Sequence, residues 1–148
     1  MKRCNLHKLY KTLYSYFGPQ YWWPAKSKFE ICVGAILTQN TAWQNVEKAI
    51  ENLKRAKKLS LQGILSLSER KLAELIRSAG YYNQKAKRLK LFCKYVQQNY
   101  SGSLKRFFNK SLAGLRKELL SLHGIGYETA DSIILYAAEK PSFVIDAY

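Results

Sequence analysis

A chain of 148 residues, 47% hydrophobic and 14% aromatic, is long enough to close one core and too apolar to be a disordered tail. Its 25 Lys and Arg against 10 Asp and Glu leave a formal net charge of +15, which points to a polyanionic partner, because phosphate contacts supply most non-specific nucleic-acid affinity. Cys4, Cys32 and Cys93 are too scattered for a disulfide framework or a local zinc motif, no apolar run reaches membrane-spanning length, and the basic N-terminus lacks the apolar centre of a signal peptide; the expected location is cytoplasmic.

Leu6, Leu9, Leu13 and Tyr16/Phe17 recur at helical spacing among Lys2, Arg3, Lys8 and Lys11, which predicts an amphipathic helix in need of a partner. Gly18-Pro19 stops it. The aromatic stretch Tyr21-Trp22-Trp23-Pro24 follows in a loop. Phe29 to Leu37 is almost wholly apolar and reads as a buried helix ending in the polar run Thr38-Gln39-Asn40-Thr41. Thr41 suits the N-cap of a helix from Ala42 to about Lys57, with Val46, Ala49, Ile50 and Leu53 inward and Trp43 in its first turn. Ser66-Leu67-Ser68-Glu69 has the pattern of a capping box before a helix that stops near Gly80. From Ala86, Leu89, Phe92, Cys93 and Val96 form one stripe, with Lys87, Lys90 and Lys94 opposite. A loop at Tyr100–Ser103, a short segment at Leu104–Phe108 and helices over Ser111–Leu122 and Tyr127–Ala138 complete the series. With neither strand alternation nor an internal repeat, the fold class is all-α, with seven to nine helices.

The last two helices flank Gly124-Ile125-Gly126. Glycines one residue apart let another molecule's backbone approach, and the turn presents main-chain N–H groups at a helix start, where an anion is favoured. The pattern is that of a helix–hairpin–helix over about residues 115–138, which holds DNA through phosphates without reading sequence. About twenty residues later, Phe143-Val144-Ile145-Asp146 places an acid behind an apolar run.

Four stretches together carry a resemblance: Trp22-Trp23-Pro24, Leu37-Thr38-Gln39-Asn40-Thr41, Gly80-Tyr81-Tyr82-Asn83-Gln84-Lys85-Ala86-Lys87-Arg88, and Leu122 to Asp131 followed by Val144-Ile145-Asp146. From about Tyr21 onward the chain resembles the endonuclease III, or helix–hairpin–helix (HhH-GPD), DNA glycosylase superfamily, and most of all its bacterial 3-methyladenine DNA glycosylase branch. The resemblance implies a base excision repair enzyme, a hydrolase that removes alkylated purines flipped out of double-stranded DNA, acting as a monomer. Asp146 matches the catalytic aspartate, which stabilises an oxocarbenium-like sugar or orients water. Trp23 and Trp43 match the rings that sandwich the flipped base, with Trp22 assigned to packing and Glu128 bordering the pocket. Gln39 and Asn40 match the loop that fills the gap left in the duplex, and Lys85, Lys87, Gly124, Ile125, Gly126 and Thr129 are the remaining expected DNA contacts.

Three departures qualify it. Glu128 stands where bifunctional relatives carry a nucleophilic lysine, so Schiff-base strand cleavage loses its amine and a monofunctional hydrolysis is implied. His123 replaces a common proline, which implies a looser start to the hairpin. The family continues past its aspartate with further helices, often with four cysteines around an iron–sulfur cluster; no cofactor or metal is expected from this chain's own cysteines unless others follow Tyr148. Residues 1–20 are therefore expected to pack on such later helices, and 21–148 to form the helical glycosylase core of a chain shortened after its aspartate. The alternatives are an endonuclease III type glycosylase and lyase acting on oxidised pyrimidines, and a non-catalytic helix–hairpin–helix DNA-binding module.

Overall fold

Residues 5–20 and 22–145 are described by the computed structural model, and all regular structure in them is helical, as the periodicity predicts. Helix α1 spans Leu6–Phe17, α2 Lys28–Leu37, α3 Trp43–Arg55, α4 Leu61–Ser66 and α5 Glu69–Leu75. A 3-10 turn at Arg77–Ala79 leads into α6, Tyr82–Tyr100, and then α7, Leu104–Phe108, α8, Leu112–Ser121, and α9, Tyr127–Ser132. A π-helical segment, Ile133–Ala137, continues α9.

The spine is α6. Its stripe of Leu89, Phe92, Cys93 and Val96 is buried, and it packs on α2, α4, α5 and α7. Left-handed residues bound it, Tyr81 at φ 44° and Ser101 at φ 53°, and the Gly102 N–H closes its end onto the Val96 carbonyl at 3.1 Å. Helix α2 runs through the core with Cys32, Val33, Ile36 and Leu37 buried. Ser27 caps it, its hydroxyl accepting from the Glu30 N–H at 3.1 Å. The buried Glu30 carboxylate accepts from the Lys26 N–H at 3.2 Å and pairs with Lys54 at 2.7 Å, so it is not left as an isolated charge. The N-terminus of α2 is thereby fixed against α3, and its C-terminus delivers the Thr38–Thr41 loop.

Local predictions fail where tertiary contacts choose among similar residues. Helix α4 was not expected; it is capped by Ser60 and buries only Leu61 and Ile64, too short a span to display a period. Ser66 ends α4, and Ser68 caps α5 by accepting from the Lys71 N–H at 3.2 Å; a lysine stands where a capping box needs an acid. Ala42, not Thr41, is the N-cap of α3, while the Thr41 hydroxyl accepts from Asn45 Nδ2 at 3.4 Å. Helix α6 starts at Tyr82, four residues before Ala86. On α1, Leu6, Leu9, Leu13 and Phe17 are exposed, so its apolar face has no cover among the described residues.

Candidate functional site

The turn between α8 and α9 is a helix–hairpin–helix in which the two glycines differ. Gly124 has φ +84°, and a Cβ built there lies 2.3 Å from Arg88 Nε. Gly126 precedes α9 in extended backbone and is open to solvent. Ile125 is corrected in role: its side chain is buried and its N–H donates to the Leu122 carbonyl at 3.0 Å, so it anchors the turn instead of offering that N–H to a phosphate. The first N–H groups of α9 lack preceding helical carbonyls, and no side chain caps them among the described residues.

Gln39 ties the Thr38–Thr41 loop to this hairpin. Its Nε2 donates to the Gly124 carbonyl and to the Thr129 hydroxyl, each at 2.9 Å, and its Oε1 accepts from Arg88 Nη1. The side-chain amide of Gln39 is thus engaged on both its oxygen and its nitrogen, while Asn40 stands exposed beside it in left-handed backbone at φ 57°. Thr129 is a further correction, being buried under Gln39 and at the pocket wall rather than on an outer surface.

Lys85 is corrected most sharply. It is 1% exposed, and its ammonium donates to the carbonyls of Leu37 at 2.9 Å and Ala79 at 2.6 Å. Burial, and then the nearby Arg88 charge, lower its pKa to about 8. It reaches no outside phosphate; it holds together the ends of α2 and the 3-10 turn. Lys87, two residues on, is exposed, and with Lys94 and His123 it lines a basic cleft beside the hairpin.

Between the aromatic loop, α2, α3 and α9 lies a cavity of about 680 Å³ lined by Trp22, Trp23, Trp43, Glu128, Ser132, Tyr136 and Val144 among others. Trp23 is its inner wall: the ring packs so close to α2 that a Cβ on Gly34 would lie 3.1 Å from its Cζ2, and its buried Nε1 has no partner among the described residues. Trp23 and Trp43 stand edge to face, 5.5 Å apart at 83°, and an 83° angle gives no pair of parallel faces for an inserted base. The expected sandwich of those two rings is therefore absent from this arrangement. Trp22, expected to pack, is instead 73% exposed at the mouth. The Trp43 ring is held by its Nε1, which donates to Glu47 Oε1 at 2.8 Å.

Tyr136 is a pocket residue that the sequence reading missed. Its ring lies 5.1 Å from Trp23 at 43°, and burial pushes its pKa up, so the hydroxyl stays protonated. It belongs to the π-helical segment, whose wider turn shifts residues off the ordinary helical stripe; the spacing Glu128, Ser132, Tyr136 was the available signal. Glu128, in the first turn of α9, is the one charged residue among the described residues lining the cavity.

Asp146 lies outside the described residues, as do Cys4 and Tyr21. Val144, two residues before Asp146, lines the cavity. Cys32 and Cys93 are buried in the core on α2 and α6, and among the described residues no group of three or more His, Cys, Asp or Glu could hold a metal ion, so these side chains do not fit an iron–sulfur cluster. No helix among the described residues is long and apolar enough to cross a membrane.

Comparison with known proteins gives concordant matches. The profile of the HhH-GPD superfamily of base excision DNA repair proteins matches residues 33–148. A Methanocaldococcus jannaschii protein, provisionally named a DNA repair glycosylase, is 54% identical over 144 residues, covering 97% of this chain and 66% of that protein. Endonuclease III of Thermotoga maritima is 28% identical over 120 residues, covering 81% of this chain and 52% of the relative. Among solved structures, that of the H. pylori 3-methyladenine DNA glycosylase bound to 1,N6-ethenoadenine superposes with a TM-score of 0.80 at 38% identity, covering 95% of this chain and 66% of that one. The chain thus spans between about half and two thirds of the length of these relatives.

Proposed function

This chain belongs to the HhH-GPD superfamily of base excision DNA repair proteins, and on that premise we propose that it forms the base-binding part of a monofunctional glycosylase for alkylated purines flipped out of double-stranded DNA. The observation that carries the reading is the pocket itself: aromatic rings on several sides, one carboxylate at Glu128, and no cationic side chain among the described residues that line it. Alkylation at a ring nitrogen makes a purine cationic, and indole faces with a nearby carboxylate attract a cation more than a neutral base. The 38% identity to a 3-methyladenine DNA glycosylase supports the same substrate class.

Selection and acceleration fall to different groups. Attraction between rings and cation favours the bound substrate, but the base loses its charge as it leaves, so this attraction does not speed bond cleavage. The positive charge makes the purine a good leaving group without a general acid. What rises in the transition state is positive charge on the sugar, and a carboxylate placed against it supplies the stabilisation. We assign that carboxylate to Asp146, which follows pocket-lining Val144 by two residues. Glu128 offers no amine, so water is the nucleophile and an abasic site is the product. Exposed Asn40, on the loop that Gln39 ties to the hairpin, enters the gap left by the flipped nucleotide, and Gly126 and the start of α9 grip a phosphate.

The test is release of free base from methylated duplex by the complete protein, with Asp146→Asn alongside. The expected outcome is excision of 3-methyladenine by the parent, loss of turnover with retained DNA binding in Asp146→Asn, and no covalent adduct on borohydride treatment. Turnover by Asp146→Asn would remove the assignment of that residue; a trapped adduct would replace water with an amine nucleophile.

A further inference from the structure

Asp131 does more than its place in the hairpin requires. It is 5% exposed, and its two oxygens accept from Arg116 of α8 at 2.8 and 2.9 Å. That guanidinium holds the Asp131 carboxyl below the usual carboxylate range. The same Arg116 lies 5.1 Å over the ring of Tyr127, which is exposed at the start of α9. The Asp131 carboxylate accepts a third hydrogen bond, this one from outside the hairpin: the Ser142 hydroxyl donates to Oδ1 at 2.9 Å.

Ser142 sits in the irregular strap that leaves the π-helical segment. Behind it the strap is fixed by the Lys140 N–H, which donates to the Ile134 carbonyl at 3.0 Å, and by Glu139, paired with Lys28 at 2.9 Å. Beyond it Phe143 and Ile145 are exposed and Val144 turns to the cavity. Among the described residues the Ser142–Asp131 bond is the last hydrogen bond before Asp146, four residues on. With the tether in place, Asp146 is at most about 14 Å of chain from a fixed point; without it, the nearest fixed point is Lys140 and the reach grows to about 21 Å.

We infer that Asp131 is a positioning residue: its carboxylate joins the phosphate-gripping hairpin to the strap, so that the duplex held by the one is presented to the carboxylate carried by the other. The inference rests on the reading of Asp146 as the catalytic group. Ser142 supplies the strap's half of the joint, and Arg116 keeps the carboxylate ionised and aimed at it.

The experiment compares Ser142→Ala, Ser142→Thr and Asp131→Asn in the complete protein, with Asp146→Asn as reference. Three quantities are read: single-turnover base release from methylated duplex, the dissociation constant for a duplex with an abasic-site analogue, and the rate of chymotryptic cleavage after Phe143, identified by mass. Ser142→Ala is expected to slow release about tenfold, since small misplacement of a reacting group is costly. It should change the dissociation constant less than about twofold and quicken cleavage after Phe143, whereas Ser142→Thr, which keeps the hydroxyl, restores both rates. Asp131→Asn should follow Ser142→Ala in release and cleavage. Parent-like release and cleavage in Ser142→Ala, with Asp146→Asn inactive, would overturn the inference and leave the assignment of Asp146 standing. An active Asp146→Asn would remove the underlying reading, and cleavage after Phe143 unchanged in both Ser142→Ala and Asp131→Asn would show that no tether exists. A loss in Ser142→Ala that Ser142→Thr fails to restore would also count against it.

Discussion

Lys85 and Lys87 are two residues apart in one basic stretch and alike as side chains, and only the register of Lys85, four residues before buried Leu89, separates them. On a helix a two-residue step turns the side chains through about 200°, so one enters the core when the other faces solvent. Lys85 meets two backbone carbonyls inside, and its pKa falls from 10.5 to about 8, with burial the main cause and Arg88 the second. Because the folded pKa is the lower one, the unfolded chain holds more protons between those values, and stability rises with pH across that window. The contribution is fully present above about 10.5 and is lost as pH falls through about 8. Urea unfolding of the parent and of Lys85→Met should therefore diverge on going from pH 7 to pH 10, with the parent gaining on the order of 2 kcal/mol relative to the variant. The same contrast between neighbours recurs at Trp22 and Trp23: two indoles in one loop, of which one is exposed at the mouth and the other packed against Gly34. Such pairs could not be ranked from composition, because burial is decided by what lies opposite.

At the level of elements, the hairpin shows how far a motif can be read. Its two glycines look equivalent as letters. In the fold Gly124 needs positive φ and lies under Arg88, whereas Gly126 has φ −87° and open space around its Cα. Gly124→Ala is expected to cost about 1–3 kcal/mol, from backbone strain and from displacing Arg88 off Gln39, and Gly126→Ala less than about 0.5 kcal/mol. Urea midpoints of the two variants measure the difference; equal midpoints would show that the hairpin tolerates either substitution alike. Long periodic elements such as α3 and α6 were legible because many residues vote for one face. Helix α4, with six residues, and the caps at Ala42 and Ser68 were not, since one serine or threonine among several is chosen by chain direction. Around the π-helical segment the spacing Glu128, Ser132, Tyr136 was the one local mark of the pocket face, and three residues are too few to outvote the core pattern, so Tyr136 was lost from the predicted pocket.

For the molecule as a whole, the net charge of +15 sets the response to salt if DNA is the partner. Removing one phosphate contact lowers the slope of log K against log salt by about one. Anisotropy titrations over a salt series should show that reduction in Lys87→Ala, whose side chain is exposed beside the hairpin, and an unchanged slope would take Lys87 out of the interface. By itself the sequence determined the all-helical class, the glycine hairpin and the basic character, because helix period, turn chemistry and charge are properties of neighbouring residues, and the superfamily followed from the resemblance that four stretches carry. Only the tertiary structure decided that Lys85 is a core strut, that Gln39 is bound to Gly124 and Thr129, that Trp22 guards the pocket mouth and that Ser142 is tied to Asp131. Those contacts join residues from 6 to 90 positions apart. Which buried polar group meets which carbonyl or carboxylate is settled by packing the helices together, since each must find a partner once water is excluded.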